Sequence, residues 1–169
     1  MRGGKRDPRR DQRRPAACLG RVPPVIGPIH HIAIVVRSIP DSLPRYRELF
    51  GWVPEDEPRV FESQRVRLCF LPSGPPPAVR IELVEPIDAG SGVARFLADR
   101  GEGLHHVCLL SDDLPGDLAA LAAAEAQLID REPRPGAHGR VAFLHPQTMN
   151  GVLWELLEST PDHATGDDA

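Results

Sequence analysis

His30-His31-Ile32-Ala33-Ile34-Val35-Val36 and His105-His106-Val107-Cys108-Leu109-Leu110 are two apolar runs that each open on a pair of histidines. Short runs of this kind read as buried strands. Two later runs answer them: Ile81-Glu82-Leu83-Val84-Glu85 and Trp154-Glu155-Leu156-Leu157-Glu158, each with a glutamate set between apolar neighbours. His106 follows His31 by 75 residues, and Glu155 follows Glu82 by 73. A unit that begins with a strand histidine and ends with a strand glutamate is therefore repeated once. Duplication of one βαβββ module is the simplest account, so the expected fold is α+β, built from two paired modules.

The stretches between these runs fit that order. Residues 38–51 read as a helix with Leu43, Tyr46, Leu49 and Phe50 on one face. Asp41 or Ser42 is the expected cap, Pro44 fits its first turn, and Gly51 fits its stop. Residues 65–71 alternate as a strand, 79–84 form another, and Ser73-Gly74-Pro75-Pro76-Pro77 turns between them. A further strand is expected between Trp52 and Phe61. In the second half, residues 113–124 read as a helix, and strands are expected near 127–131, 140–144 and 152–157. Residues 92–101 read as a short helix linking the halves. The expected layout is a basic arm over 1–27, one folded domain over 28–158 and a loose acidic tail over 159–169. Within the domain, the first module spans 28–86, the linking helix 91–101 and the second module 102–158.

Composition narrows the class. The chain has 169 residues, 41% of them apolar and 26% charged, enough to bury one core. No apolar run is long enough to cross a bilayer as a helix. Cys18, Cys69 and Cys108 form neither a CxxC pair nor a disulfide framework, which points to reduced thiols and a cytoplasmic setting. Residues 1–22 carry eight Lys/Arg and two Asp, whereas the remainder carries twelve Lys/Arg and twenty-two Asp/Glu. An acidic body argues against nucleic acid as a partner, because neutralising phosphates needs a basic face. The arm has no apolar core segment of the secretory kind and is expected to be disordered.

Chemistry concentrates in the repeated residues. A carboxylate between apolar strand neighbours must be paired, protonated or bound to a metal. Taken singly, each histidine or glutamate reads as a satisfied core residue. The register across the repeat marks His31, Glu82, His106 and Glu155 as one set. Two imidazoles and two carboxylates suit a borderline divalent ion such as Zn, Ni, Co or Mn.

HHIAIVV, IELVEP, GEGLHHVCL, EPRPGAHGRVAFLHP and NGVLWELLE resemble the methylmalonyl-CoA epimerases of the vicinal oxygen chelate (glyoxalase I-like) superfamily, across about residues 29–158. The resemblance implies a cupped mixed sheet around one metal, with His31, Glu82, His106 and Glu155 at the ligand positions. The preceding His30 and His105 are then neighbours of ligands. It also implies a metal-dependent epimerase acting on methylmalonyl-CoA or a related 2-substituted malonyl thioester. The α-proton is removed, the enediolate charge is stabilised by the metal, and Glu155 serves as both ligand and base. The partner is thus a small acyl-CoA or acyl-thioester, and a homodimer is the default assembly.

Two positions depart from the family pattern. Leu68 stands where some members carry a second catalytic glutamate, and Gln147 follows His145-Pro146 where a lysine is frequent. These departures favour, as alternatives, a glyoxalase-type isomerase or a natural-product tailoring enzyme on the same scaffold. A ring-cleaving dioxygenase fits less well, because four protein ligands leave fewer open positions than a facial triad. A non-catalytic small-molecule-binding protein of this fold would need no ligand set. Val66, Leu68 and Phe70 are expected to form an apolar wall of the cavity. His138 and His145 are candidate substrate contacts in loops, and Arg131, Arg134 and Arg140 are candidate phosphate contacts.

The arm lacks apolar residues at helical or strand spacing and should bury little. A chain shortened to begin at Val25 should melt within a few degrees of the full protein, as expected for a change under about 1 kcal/mol. A large drop in melting temperature would show that the arm packs on the domain.

Overall fold

The structure is a computed structural model, and it describes residues 26–76 and 78–160. Most of the basic arm and most of the acidic tail therefore lie outside the described residues. In chain order the elements are β1 (Ile29–Val35), α1 (Ile39–Phe50), β2 (Arg59–Phe61), β3 (Val66–Pro72) and β4 (Arg80–Pro86). Then come α2 (Gly92–Arg100), β5 (Gly103–Ser111), α3 (Leu114–Ala123), β6 (Arg134–Pro135), β7 (Arg140–Leu144) and β8 (Leu153–Glu158). The strands form one eight-stranded mixed sheet in the order β2-β3-β4-β1-β5-β8-β7-β6. Each half is a βαβββ module, as the repeat predicts, and α2 links the two. β1 runs parallel to β4, β5 runs parallel to β8, and the antiparallel β1/β5 pair joins the modules. No helix among the described residues is long and apolar enough to cross a membrane.

Strand alternation sorts the side chains onto two faces. On one face Ile39 of α1 packs with Val36, Cys69, Leu71 and Leu83. Leu114 and Leu118 of α3 pack in the same way with Ala142, Leu144 and Leu156. The other face carries Ala33, Val35, Val66, Leu68 and Val84, with Val93 and Phe96 of α2 against them. It also carries Cys108, Val141 and Leu157. The site histidines and glutamates share this second face. Ile26 packs into the α3 cluster, and the Gly27 amide donates to the Leu110 carbonyl at 2.8 Å, so these last two residues of the expected arm are part of the packed domain.

Three expectations need correction. The cap of α1 is Ser38, not Asp41 or Ser42: its hydroxyl accepts from the Asp41 amide at 3.2 Å. The helix thus starts earlier, Pro40 occupies its first turn, and Pro44 lies inside it. No strand forms at 127–131. There the Ile129 and Asp130 amides both donate to the Phe143 carbonyl, at 2.8 and 3.2 Å. The Asp130 carboxylate takes the Phe143 amide at 3.0 Å. A side chain thereby replaces a ladder bond, only a Leu128–Leu144 bridge remains, and β6 falls at 134–135.

The register also explains where space for a site comes from. Ala33 stands opposite Glu82 on β4 and opposite His106 on β5. Cys108 stands opposite His31 on β1 and opposite Glu155 on β8. Each small residue lies two positions after its module's second histidine, and both are fully buried. A larger side chain at either place would fill the ground between the polar groups. Ala33→Leu should cost about 1–3 kcal/mol through overpacking and lower the melting temperature by several degrees. An unchanged melting temperature would show that the floor is not close-packed.

Candidate functional site

β4, β1, β5 and β8 are the four central strands, and each supplies one polar side chain to a common centre. The Nε2 atoms of His31 and His106 lie 3.2 Å apart. Glu155 Oε2 is 3.4 Å from His31 Nε2 and 2.9 Å from His106 Nε2. Glu82 Oε2 is 3.5 Å from His31 Nε2 and 4.0 Å from His106 Nε2. All four residues are buried, Glu82 to 3% exposure and Glu155 to 9%. The sequence-derived set is thus brought to one point, two side chains from each module.

Burial disfavours the imidazolium of His106, but the hydrogen bond and charge of Glu155 outweigh it and raise the pKa. Burial likewise disfavours the Glu155 carboxylate, yet hydrogen bonds from His106 and His31 prevail and hold it well below the usual carboxylate range. Burial, with the nearby Glu155, pushes the Cys108 thiol far up, so it stays protonated. The pairing of a buried acid with two imidazoles is how the chain meets the cost of desolvating it.

The preceding histidines take supporting places. His30 Nδ1 is 2.8 Å from His31 Nδ1, and His105 Nδ1 is 2.8 Å from His106 Nδ1. Both inner imidazoles therefore turn Nε2 toward the centre. His105 is driven down to about 4, first by burial and then by His106. Phe70 and Phe143 set their edges on the inner pair, with ring centroids 5.5 Å from His31 and 5.7 Å from His106. Each phenylalanine pairs across its hairpin with its module's glutamate: Phe70 with Glu82, Phe143 with Glu155. Arg80 lies over Phe70 at 4.4 Å and Arg134 over Phe143 at 5.0 Å. These aromatic props follow the same repeat; the sequence pattern marks Phe70 as a cavity wall and gives no such signal for Phe143.

The four side chains line a cavity of about 80 Å³. Val66, Leu68, Val84, Val93, Phe143 and Leu157 wall it. A second cavity of about 190 Å³ adjoins it across Leu68, Ala137 and His138, and Phe70 lines that one. The expected apolar wall of Val66, Leu68 and Phe70 thus spans both. His138 reaches the site: its Nε2 is 3.2 Å from Glu82 Oε1. His145 does not; its Nδ1 accepts from the Gln147 amide at 3.2 Å. The loop arginines are engaged or exposed rather than gathered: Arg134 binds Asp130, Arg140 binds Glu158, and Arg131 is exposed.

The donor set fits a divalent ion. An ion about 2.0–2.2 Å from nitrogen and oxygen donors holds neighbouring ligands about 3.0–3.5 Å apart, and the separations here span 2.9–4.0 Å. His31, Glu82 and His106 each offer an atom within 4.8 Å of the others.

Comparison with known proteins extends this picture. The family model described as Glyoxalase/Bleomycin resistance protein/Dioxygenase superfamily matches residues 30–143. The uncharacterized protein YqjC of Bacillus subtilis (strain 168) is 42% identical over 135 residues, covering 79% of this chain and 94% of that one. The ethylmalonyl-CoA/methylmalonyl-CoA epimerase of Cereibacter sphaeroides is 36% identical over 138 residues, covering 78% and 98%. A Streptomyces coelicolor methylmalonyl-CoA epimerase variant, solved in complex with 2-nitronate-propionyl-CoA, superposes with a TM-score of 0.72. It is 32% identical, and the match covers 80% of this chain and 96% of that one. Family model, relatives and fold agree: the chain belongs to the glyoxalase/bleomycin resistance protein/dioxygenase superfamily, among relatives named methylmalonyl-CoA epimerases.

Proposed function

We propose that this protein is a metal-dependent epimerase of methylmalonyl-CoA or a related 2-substituted malonyl thioester. The observation that carries the reading is the convergence of His31, Glu82, His106 and Glu155 on the wall of one cavity, with each glutamate within 4.0 Å of both imidazole nitrogens. The likeness to epimerases named for such thioesters supports it. These four side chains would hold Co, Mn, Ni or Zn, which when bound supplies Lewis-acid polarisation of the substrate's carbonyl oxygen.

The rest is work for the chain itself. Glu155, a buried carboxylate at the centre, is the proton acceptor. It takes the α-proton from the face of the substrate turned toward β8. The apolar walls exclude bulk water from the reacting carbon and strengthen each electrostatic contact. Leu68 offers no acid to the opposite face, so a single water molecule admitted with the substrate is the proton donor there. The same residue favours a second reading, another isomerase or tailoring enzyme on this scaffold with a different thioester or carbonyl substrate.

The purified protein should hold about one divalent ion per chain, and removing one ligand should weaken binding tenfold or more. Full occupancy in a His31→Ala/His106→Ala double variant, measured by elemental analysis, would end the metal reading. Glu155→Gln keeps an oxygen in place but is a poor base, so α-proton exchange should fall by roughly 10²–10⁴-fold. In heavy water, the wild type should wash deuterium into methylmalonyl-CoA faster than it inverts the centre, because only one face has a carboxylate. Leu68→Glu should raise inversion relative to exchange. No exchange into either isomer by the metal-loaded wild type, with Leu68→Glu also inert, would reject the malonyl-thioester reading and leave the second one.

A further inference from the structure

Gly136-Ala137-His138-Gly139 forms a tight loop between β6 and β7 of the second module, closed by a Gly136 amide to Gly139 carbonyl bond of 2.7 Å. A Cβ on Gly136 would sit 2.7 and 2.8 Å from the two methyls of Val141, and Gly139 has a φ of +140°. Glycine is required at both ends, the first for space and the second for backbone conformation. The effect of this turn is to carry His138 across the cavity onto the first module. Its ring packs 4.7 Å from Phe70 and 5.9 Å from Phe61. Its Nε2 meets Glu82 Oε1 at 3.2 Å.

That contact divides the labour of one carboxylate. Oε2 of Glu82 faces the two imidazoles, at 3.5 Å from His31 and 4.0 Å from His106. Oε1 faces His138, at 3.2 Å. A glutamate side chain has three rotatable bonds, and without a partner for Oε1 it can turn either oxygen, or neither, to the centre. Glu82 and His138 come from different modules, so the bond also spans the seam between the duplicated halves.

We infer that His138 is a positioning residue for Glu82: with hydrogen on Nε2 it donates to Oε1 and fixes Oε2 toward the metal centre. The inference rests on the reading of the four side chains as a metal site. It assigns His138 no contact with the ion and no proton transfer. Partners of this kind typically change metal affinity by about 10–100-fold when lost.

The test is the affinity of the full chain for Co²⁺ and for Zn²⁺, measured by titration against a competing chelator. His138→Phe keeps the ring packing on Phe70 and Phe61 but cannot donate. His138→Gln loses the ring but can donate to Oε1. The inference expects His138→Phe to lose about 10–100-fold in affinity and His138→Gln to recover most of it, with both melting near the wild type. Retained affinity in His138→Phe, or no recovery in His138→Gln, overturns it, because ring packing would then be the role. If the phenylalanine variant fails to fold, His138→Leu against His138→Gln reads the same contrast. In a Glu82→Ala background His138→Phe should cause no further loss, and a further tenfold loss overturns the inference. A wild type that binds neither ion overturns the metal reading together with this one, whereas a wild type that binds while the contrast fails overturns this one only.

Discussion

Four ionisable side chains share one buried point, and the rest of the molecule is arranged to make that tolerable. An isolated carboxylate in such a place costs several kcal/mol. Here each glutamate lies within 4.0 Å of both imidazoles. The pairing works only because β1 and β5 run antiparallel side by side. That junction turns one module's histidine toward the other module's glutamate. Ala33 and Cys108, directly opposite the polar residues in register, leave the floor low enough for the groups to meet.

From this constraint follows the division of faces. The helices α1 and α3 cover the side of the sheet away from the site with aliphatic packing. The site side is left to short apolar walls, to α2 and to the loop that carries His138. Phe70 and Phe143 lie beside the inner imidazoles and are held in turn by Arg80 and Arg134. The duplication thus reaches beyond the four central residues to their props. It breaks at His138: the matching turn of the first module, between β2 and β3 at 62–65, carries no histidine, and the His138 ring nitrogen reaches across to Glu82.

Much of this is legible in the chain because strands alternate with period two and the repeat fixes their register. His31 and Glu82 are recognisable as partners of His106 and Glu155 from spacing alone. The modules, their order and the linking helix follow from the same pattern. What stays hidden is decided by single side chains competing with the backbone. Ser38, Asp41 and Ser42 are all competent caps, and the choice of Ser38 depends on tertiary support: the first helical amide, of Ile39, donates to Glu85 Oε2 at 2.7 Å. The stretch at 127–131 has strand-like composition, yet Asp130 captures the Phe143 amide and ends the ladder. His138 is legible only as a loop histidine, because its partner lies 56 residues away in the other module.

X-ray absorption at the metal edge of Co²⁺- or Zn²⁺-loaded protein reads the centre most directly. The account predicts a shell with two imidazole nitrogens and carboxylate oxygens at about 2.0–2.2 Å, and loss of one imidazole on His106→Ala. A shell with fewer than two imidazoles, or one unchanged by His106→Ala, would contradict it.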